Sequence, residues 1–536
     1  MPGFFVENFG CRATQADGAA LERQFEEQGL TRASSTTQAS VVVLNTCTVT
    51  AGADQDARAA IRRVSRQNPK ACIVVTGCYA QRAPEEISAL PGVDLVIGNS
   101  HKHRLAEIVR TAAAGWPSTS SAREQSVLSE GAFAAGTPAF IPLAALSDPG
   151  GSRQPQAGSS VFVSDIFAHT ELLAAPVFDA ANERTRPNLK VQDGCDNRCS
   201  FCVIPYVRGQ SRSLAMDRII GEVNTLVEAG YREVVISGIN LGRWGRDLGS
   251  GSQASGFEQS PSGLLEPEAG SPKPVTRQPR FEELIRAILL QTSLEKLRIS
   301  SVEPMDWSDE LIALVASSPR IAKHAHVPMQ SASDAVLRRM HRKYRPWHYR
   351  EKIQKIRAAM PDAAIGADVM VGFPGETDSE FAATREMIED LPFTYLHVFT
   401  YSPRPGTPAA EMKNQVPVQV ARERSRILRE LASEKKLAFM GCFIGKTVKA
   451  ITLNVIGSDA EGEFTEALTD NYLKLRLRGR HEPNRWQAAI VERAAAGALR
   501  GRPKEGPPPP RANGGDGNAW PGSEKVAESI DPPKSN

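Results

Sequence analysis

The sequence predicts an α/β protein of three parts: an N-terminal doubly wound α/β domain, a central (β/α) partial TIM barrel and a small C-terminal β-barrel. Uninterrupted β-branched strands alternate with helical stretches over the first hundred residues. The same alternation returns after residue 188 and continues for about six β/α units. After residue 440 the hydrophobic period changes to two, which indicates half-buried antiparallel strands.

Length and composition are those of a multidomain globular protein. The 536 residues exceed one ordinary domain, with 41% hydrophobic and 23% charged residues. A net charge of +3 does not by itself indicate nucleic-acid binding. No apolar stretch approaches the roughly 18–20 residues that span a bilayer, so no membrane segment is expected. Residues 1–10 lack the pattern of a secretory leader. With only eight cysteines a disulfide scaffold is not expected, and a cytoplasmic location fits best.

Three cysteines follow predicted strands of the N-terminal domain, which we assign to residues 1–112. Cys11, Cys47 and Cys78 come after the strands predicted at 4–9, 41–44 and 73–75, which are the first three of the domain. Ligand sites in open α/β sheets lie beyond the carboxyl ends of the strands, so these thiols are expected at one edge. Cys72 begins a strand at the opposite end and is interpreted as a small core residue. The alternative is three unrelated loop cysteines.

The segment 113–184 has a different composition. Ala, Gly, Ser, Thr and Pro dominate it, and such a stretch cannot sustain a core. We therefore expect a linker or insertion of low order, in which a part near 161–163 packs locally.

The central barrel is assigned to 185–415, with a Gly/Ser-rich insertion at 249–279. Its first strand, 188–192, leads directly into Cys195, Cys199 and Cys202. Three thiolates are one short of the four ligands that close a zinc or iron–sulfur site. One iron would thus remain open to an outside ligand. The alternatives are a structural zinc site whose fourth ligand lies elsewhere, or three incidental core cysteines.

Other strand ends of the barrel carry groups suited to a bound small molecule. Gly372 lies in the Gly/Pro turn after strand 364–371, where the backbone can approach a ligand closely. Ser300 and Glu303 end another strand with a hydroxyl and a carboxylate that suit ribose or amine contacts; a solvated strand end is the alternative. Phe201, between the second and third cysteines, is placed to stack on an adenine.

Two histidines, His324 and His326, share one side of a strand. For both, a packed or hydrogen-bonded role is expected rather than metal ligation.

The last part begins with a connecting helix at 416–440, followed by the small β-barrel at 441–498. Its strand 472–477 places Lys474 and Arg476 on one face, with Arg478 and Arg480 beyond. Such a face predicts contacts with an RNA backbone; a solvated polar face is the alternative. The tail 499–536 is expected to be disordered by composition.

These motifs together resemble a known family. The Cys-x3-Cys-x2-Cys loop, with an aromatic residue before its last cysteine, is similar to that of radical S-adenosylmethionine (SAM) enzymes. Several segments resemble the methylthiotransferase branch of that superfamily: 45–50, 77–78, 192–195, 204–209, 328–331 and 371–376. The resemblance covers roughly residues 1–110 and 185–495, and the last domain resembles a TRAM-type RNA-binding barrel.

Within this branch the segments 48–50 and 192–194 are most similar to the enzymes that act on N6-threonylcarbamoyladenosine in tRNA. One residue departs from the pattern: Thr14 stands where these families usually carry Asn. The Cys11 thiol remains in place.

The resemblance implies a mechanism with two 4Fe-4S clusters. Cys195, Cys199 and Cys202 would hold one cluster, whose open iron chelates SAM, and Phe201, Ser300, Glu303 and Gly372 would contact the cofactor. Cleavage of SAM would yield a 5′-deoxyadenosyl radical that removes hydrogen from C2 of the adenine. Cys11, Cys47 and Cys78 would hold an auxiliary cluster that carries the sulfur, and a second SAM would methylate it.

The expected product is 2-methylthio-N6-threonylcarbamoyladenosine at position 37 of tRNA. The implied partners are tRNA, a flavodoxin- or ferredoxin-like electron donor and a sulfur source, and the chain is expected to be a monomer. Two alternatives keep the reaction but change the substrate, to N6-isopentenyladenosine tRNA or a ribosomal-protein aspartate. A further alternative is a non-catalytic iron–sulfur RNA-binding redox sensor.

Overall fold

The N-terminal elements alternate strand and helix. A computed structural model describes residues 3–114, 160–169, 185–248, 278–495 and 497–504 of the chain. In chain order the first elements are β1 (Gly3–Asn8), α1 (Arg12–Glu27), β2 (Thr31–Arg32), β3 (Val41–Thr46), α2 (Ala51–Gln67), β4 (Cys72–Gly77), α3 (Cys78–Arg82), α4 (Pro84–Ser88), β5 (Leu95–Gly98), α5 (Leu105–Ala114) and β6 (Ser160–Phe162).

The first six strands form one parallel sheet in the order β2-β1-β3-β4-β5-β6. Helices α2, α3 and α4 cover one face through side chains such as Ile61 and Tyr79. Helices α1 and α5 cover the other face through Leu21 and Leu105, and Cys72 lies in that core as expected. The strand order reverses between β1 and β3, which is the switch point where doubly wound sheets bind ligands. The predicted doubly wound domain is therefore observed.

Within the expected linker, the local packing expected near residues 161–163 is observed, and it takes the form of a strand. Ser160–Phe162 adds β6 to the sheet edge, parallel to β5, and Ile166 is buried. Successive side chains of a strand point to opposite faces of a sheet, so Val161 packs in the hydrophobic core on one face and Phe162 in the core on the other. Residues 115–159 and 170–184 of the expected linker, and residues 249–277 of the expected insertion at 249–279, lie outside the described residues.

Over the residues that the structure describes, the central part contains six β/α units. Its elements are β7 (Asn188–Lys190), β8 (Gln192–Asp193), α6 (Ile204–Arg208), β9 (Arg212–Ser213), α7 (Met216–Glu228), β10 (Glu233–Ser237), α8 (Phe281–Gln291), β11 (Lys296–Ile299), α9 (Asp309–Ser317), β12 (His324–His326), α10 (Asp334–Arg339), α11 (Pro346–Ala359), β13 (Ala364–Val371), α12 (Asp378–Asp390) and β14 (Tyr395–Thr400).

Two parallel sheets make up the partial barrel, β7-β10-β11 and β12-β13-β14. Isolated parallel bridges, Leu297 to Ile321 and Ser301 to His326, join the two sheets. Alternate strand residues such as Leu297 and Ile365 belong to the large core. The residues between them pair across neighbouring strands: Arg298 donates to Glu233, and His326 lies 3.1 Å from Asp368. This is the partial TIM barrel that the sequence predicts.

The C-terminal elements are α13 (Val418–Gly441), β15 (Thr447–Asp459), β16 (Gly462–Thr469), β17 (Lys474–Arg478), β18 (Trp486–Ala495) and β19 (Ala498–Pro503). The five strands close a barrel in the order β15-β16-β17-β19-β18. The expected end of the C-terminal barrel at residue 498 is wrong, because β19 extends the barrel to Pro503. Leu499 is fully buried in the barrel core, and a Cβ at Gly501 would lie 2.5 Å from the carbonyl oxygen of Ile490, so this strand is closely packed.

The turn between β16 and β17 joins all three parts. The Tyr472 ring lies 4.6 Å from that of His324 in the central barrel, and its hydroxyl accepts a hydrogen bond from Arg12 Nη2 at 3.0 Å. Arg298 donates to the carbonyl oxygens of Thr469 and Asp470. The C-terminal barrel thus packs against the central barrel beside the residue that follows Cys11. No helix in the described residues is long and apolar enough to cross a membrane.

Candidate functional site

Cys11, Cys47 and Cys78 lie at the carboxyl ends of three adjacent parallel strands. Cys11 precedes α1, Cys47 directly follows β3, and Cys78 is the first residue of α3 after β4. The backbone at Gly10 contacts Cys47 closely: a Cβ there would lie 2.6 Å from the Cys47 Cβ, and φ is +98°. Only glycine fits this approach without strain. The structure thus brings the three thiols to one edge of the sheet.

The environment of these thiols suits a bound cation. Cys47 and Cys78 are buried and Cys11 is exposed. Burial, together with the neighbouring Cys78 and Cys11, raises the pKa of Cys47 to about 12. Three thiolates so close together need a positive charge between them, and a metal supplies it by displacing the thiol protons. This donor set therefore fits an iron–sulfur cluster held by three cysteines.

Polar side chains also contact two of these sulfurs. The hydroxyl oxygen of Thr14 is 3.6 Å from Cys11 Sγ, and Asn99 Nδ2 is 3.6 Å from Cys78 Sγ. The residue that departs from the family pattern, Thr14, is therefore the one that contacts Cys11.

The second cysteine group lies in the loop between β8 and α6. The Asn197 amide donates to Cys195 Sγ at 3.4 Å, and Asn240 Nδ2 lies 3.7 Å from the same sulfur. Burial raises the pKa of Cys202 to about 12, with the other two thiols adding to the effect. Three free thiols with N–H donors directed at them again match the ligands of a cluster.

Arg342 is a residue at this site that the sequence patterns did not indicate. It is buried, its Nη1 lies 3.4 Å from Cys199 Sγ, and its Nη2 pairs with Glu303. The guanidinium also lies 4.9 Å from the centroid of the Tyr344 ring. The predicted residue Glu303 is thereby held beside the cysteine loop. No local sequence pattern around Arg342 predicts these contacts, because Cys199 and Glu303 are 143 and 39 residues away in the chain.

The other predicted cofactor residues occupy two places. Phe201 packs edge-to-face on Phe373, with ring centroids 6.4 Å apart, next to the turn at Gly372. The Gly372 amide donates to Glu376 at 2.7 Å, and a Cβ there would lie 2.5 Å from the Cβ of Ala421. The close approach at Gly372 is therefore with α13. Ser300 is buried at the end of β11, and its amide donates to the Ile236 carbonyl.

The segment 48–50 divides into structural and exposed residues. The Thr48 hydroxyl donates to Asp54 at 2.6 Å, and the Thr50 hydroxyl accepts from the Ala53 amide and caps α2. Val49 between them is 47% exposed. Of these three residues, Val49 is the most exposed.

The barrel interior along β12, β13 and β14 is polar. The Tyr395 hydroxyl lies 2.7 Å from His324 Nε2 and 2.9 Å from His326 Nδ1, in agreement with the expected hydrogen-bonded role of both histidines. His326 Nε2 is 3.1 Å from Asp368 Oδ1. The ring of the largely exposed His397 lies 5.4 Å from that of His326, and partial desolvation lowers the pKa of His397.

Comparison with known proteins agrees with this architecture. Residues 3–98 match the family described as Uncharacterized protein family UPF0004, and residues 189–388 match the Radical SAM superfamily. The chain is 33% identical to the threonylcarbamoyladenosine tRNA methylthiotransferase MtaB of Bacillus subtilis, over 88% of this chain and 89% of that protein. It is also 33% identical to MtaB of Aquifex aeolicus, over 90% of this chain and 99% of that protein. The tRNA-2-methylthio-N(6)-dimethylallyladenosine synthase of Novosphingobium aromaticivorans is 33% identical, over 84% of this chain and 86% of that protein. The chain therefore belongs to the radical SAM methylthiotransferase family and is a radical SAM transferase.

Proposed function

We propose that this protein methylthiolates C2 of N6-threonylcarbamoyladenosine at position 37 of tRNA, giving 2-methylthio-N6-threonylcarbamoyladenosine. One observation carries the proposal: the two three-cysteine sites meet at one junction. Cys78 forms a small buried cluster with Val203 and Val207, and Val203 directly follows Cys202. Sulfur insertion into a substrate radical requires the radical source and the sulfur source to reach the same atom, so adjacent sites suit the reaction.

In this proposal Cys195, Cys199 and Cys202 hold one 4Fe-4S cluster, and Cys11, Cys47 and Cys78 hold the other. When bound, the clusters and SAM supply one-electron cleavage to a 5′-deoxyadenosyl radical, the sulfur atom and its methyl group.

The remaining work belongs to side chains of this chain. Arg342 orients Cys199 and Glu303 at once, because it donates to both. Phe201, Ser300, Glu303 and Gly372 stay as the proposed SAM contacts. The Arg298 guanidinium lies 5.2 Å from the centroid of the Tyr472 ring and so attaches the C-terminal barrel to the central barrel.

The polar barrel interior supports the threonylcarbamoyl substrate. That group carries a carboxylate, a hydroxyl and a urea, whereas an isopentenyl group is a hydrocarbon. His326, Asp368, Tyr395 and His397 offer hydrogen bonds that only the polar group can use. The second candidate substrate is N6-dimethylallyladenosine, favoured by the Novosphingobium relative at the same identity.

The C-terminal barrel supports tRNA as the partner. Lys474 and Arg478 are exposed, and Arg476 is partly exposed between them on the same strand face. Arg478 and Arg480 pair with Glu492 and Glu463 at 3.2 and 3.6 Å in largely exposed pairs. Exposed pairs contribute little, so phosphates can replace the carboxylates at small cost. The proposal also requires a flavodoxin- or ferredoxin-like electron donor and a sulfur source, and we propose that the chain acts as a monomer.

Two variants test the assignment of the cysteines. We expect Cys195→Ala to abolish SAM cleavage, and Cys47→Ala to retain cleavage but stop methylthiolation. Cys442→Ala, at an exposed cysteine outside both groups, is the matched control and should behave as wild type. About eight irons per anaerobically purified chain support two clusters, and about four contradict them. Normal product from the Cys47 variant would refute the two-site model.

The substrate is tested in cells. Mass spectrometry of tRNA nucleosides, with and without the gene, should show loss of 2-methylthio-N6-threonylcarbamoyladenosine. Loss of the methylthio-dimethylallyl nucleoside alone would establish the second candidate instead. A full complement of both nucleosides would reject tRNA methylthiolation.

A further inference from the structure

Five buried charged residues connect the two cysteine sites, and we call them the bridging network. The network consists of Asp17, Lys102, Lys190, Asp193 and Arg208, each at most 6% exposed. Asp17 lies on α1 and Lys102 just before α5, in the N-terminal domain. Lys190 on β7, Asp193 on β8 and Arg208 on α6 belong to the central barrel. The network therefore crosses the junction between the two parts.

The two carboxylates are shared by three cations. Arg208 Nη1 lies 3.0 Å from both oxygens of Asp193, and its Nη2 lies 3.0 Å from Asp17 Oδ2. Lys190 Nζ donates to Asp17 and, at 2.8 Å, to Asp193. Lys102 Nζ is 3.1 Å from Asp17 Oδ2.

On the N-terminal side the network reaches the Cys11, Cys47 and Cys78 site by two routes. Arg208 Nη2 is 3.5 Å from the Thr14 hydroxyl, which in turn contacts Cys11 Sγ. The carbonyl of Val207, the residue before Arg208, accepts from Asn99 Nδ2, and the same nitrogen contacts Cys78 Sγ.

On the other side the network reaches the SAM site. Asp193 Oδ1 accepts from the Gly194 amide at 2.8 Å, directly before Cys195.

The charges within the network do not balance. Three cations and two carboxylates leave one excess positive charge in a buried place. Arg212, whose Nη2 donates to the Arg208 carbonyl, adds a further partly buried cation. Among the described residues, Arg208 Nε has no hydrogen-bond partner. A buried uncompensated charge is costly unless an anion lies beside it. A 4Fe-4S cluster in its 2+ state with three thiolate ligands carries a net charge of −1, which matches this excess.

We propose that Arg208 is the positioning residue of the auxiliary site: it binds the Cys11 loop to the cysteine loop of the SAM site and raises the reduction potential of the auxiliary cluster. This inference rests on the proposed two-cluster function. Reduction adds an electron to the cluster, so a nearby positive charge favours the reduced state and a nearby negative charge disfavours it.

The test is an EPR-monitored redox titration of the reconstituted full-length protein. The auxiliary signal is the one that added SAM leaves unchanged. We expect Arg208→Gln to retain about eight irons and to make the potential more negative by at least about 59 mV, a tenfold change in the ratio of oxidised to reduced cluster. Asp17→Asn should move it in the positive direction. The opposite signs separate charge balance from mere support of the fold, because a structural loss would act alike in both variants.

Two controls complete the experiment. Arg208→Lys keeps the charge and should shift the potential by less than this amount. Arg320→Gln removes a partly buried arginine whose partners are the carbonyls of Leu289, Thr292 and Leu294, and it should have no effect.

Three outcomes would overturn the inference. An unchanged potential in Arg208→Gln, or shifts of the same sign in Arg208→Gln and Asp17→Asn, would refute it while two clusters remain present. About four irons and no SAM-insensitive signal in the wild type would instead refute the two-cluster proposal, and this inference with it. If Arg208→Gln does not bind its clusters, Lys102→Met removes a positive charge from the other end of the network instead. A reduction potential that is unchanged in Lys102→Met, or shifted in the positive direction, would refute the inference.

Discussion

A buried carboxylate, Asp54, pairs with the central barrel beside the Cys47 loop, and Asp54→Asn tests how much this pairing contributes to stability. Asp54 Oδ2 lies 3.1 Å from Arg82 Nη2 and also pairs with Arg404 Nη2, while Oδ1 accepts from Thr48. Arg404 follows β14, and Thr48 directly follows Cys47. The carboxylate therefore joins two parts of the protein next to Cys47.

The size of the effect follows from burial. The side chains of Asp54, Arg82 and Arg404 are 6%, 11% and 4% exposed, so solvent screens these pairs little. Removing one partner of a buried ion pair costs about 3–5 kcal/mol, because the remaining charge stays buried. Asparagine keeps one hydrogen bond to Thr48, so we expect a loss of about 3 kcal/mol in the free energy of unfolding. Urea unfolding of the cluster-free protein, followed by circular dichroism, measures it.

Two further variants make this prediction refutable. Glu107→Gln breaks the pair with Arg104, whose side chains are 47% and 53% exposed, and should cost less than about 1 kcal/mol. In Asp54→Asn the cations Arg82 and Arg404 lose their carboxylate partner. Adding Arg404→Met removes one of these two cations and should restore at least about 1 kcal/mol of the free energy of unfolding. A value for Asp54→Asn within about 1 kcal/mol of wild type, or a double variant no more stable than the single one, would refute the reasoning.

Two other predictions concern the buried charges. Three cations hold the pKa of Asp17 at about 2 in spite of its burial, below the 3.8 of an ordinary aspartate. The ionised Asp17 therefore contributes fully to the free energy of unfolding above pH 4, and this contribution is lost as the pH falls towards 2. Between pH 5 and pH 2 the free energy of unfolding of the wild type should fall by about 2 kcal/mol more than that of Asp17→Asn, as measured by urea unfolding of the cluster-free protein. Equal losses in the two proteins would contradict this prediction. Arg342→Gln removes the donor to Cys199 and the partner of Glu303. Because a hydrogen bond to a charged group contributes about 1.5–3 kcal/mol, 5′-deoxyadenosine formation should fall about 10- to 100-fold. Arg338→Gln, at an exposed arginine, serves as the control and should leave the rate unchanged. An undiminished rate of 5′-deoxyadenosine formation in Arg342→Gln would disprove this role of Arg342.

Local patterns were sufficient for the cysteines. Cys195, Cys199 and Cys202 lie within one loop, so their spacing alone predicts that they share a site. Cys11, Cys47 and Cys78 are far apart in the chain, but each follows a strand. In a parallel sheet all such positions meet at one edge, which makes a long-range grouping predictable from local signals.

Short strands that take their partners from elsewhere in the fold were not predicted as elements. β6 and β19 comprise three and six residues. Strand β6 pairs with the free edge of β5. Strand β19 lies between β17 and β18 and closes the barrel by pairing with both. No periodicity within so few residues distinguishes them from a loop.

By itself the sequence determined the fold class, the two cysteine groups and the family, because all three are encoded by residue type and short-range spacing. Only the tertiary structure revealed what joins the two sites. Asp17 and Arg208 are 191 residues apart, and Asp54 and Arg404 are 350 apart. Nothing near any of these residues in the sequence marks it as buried and paired, since a charged residue is ordinarily solvated. Their pairing becomes necessary only when the two parts of the protein pack together and exclude water from between them.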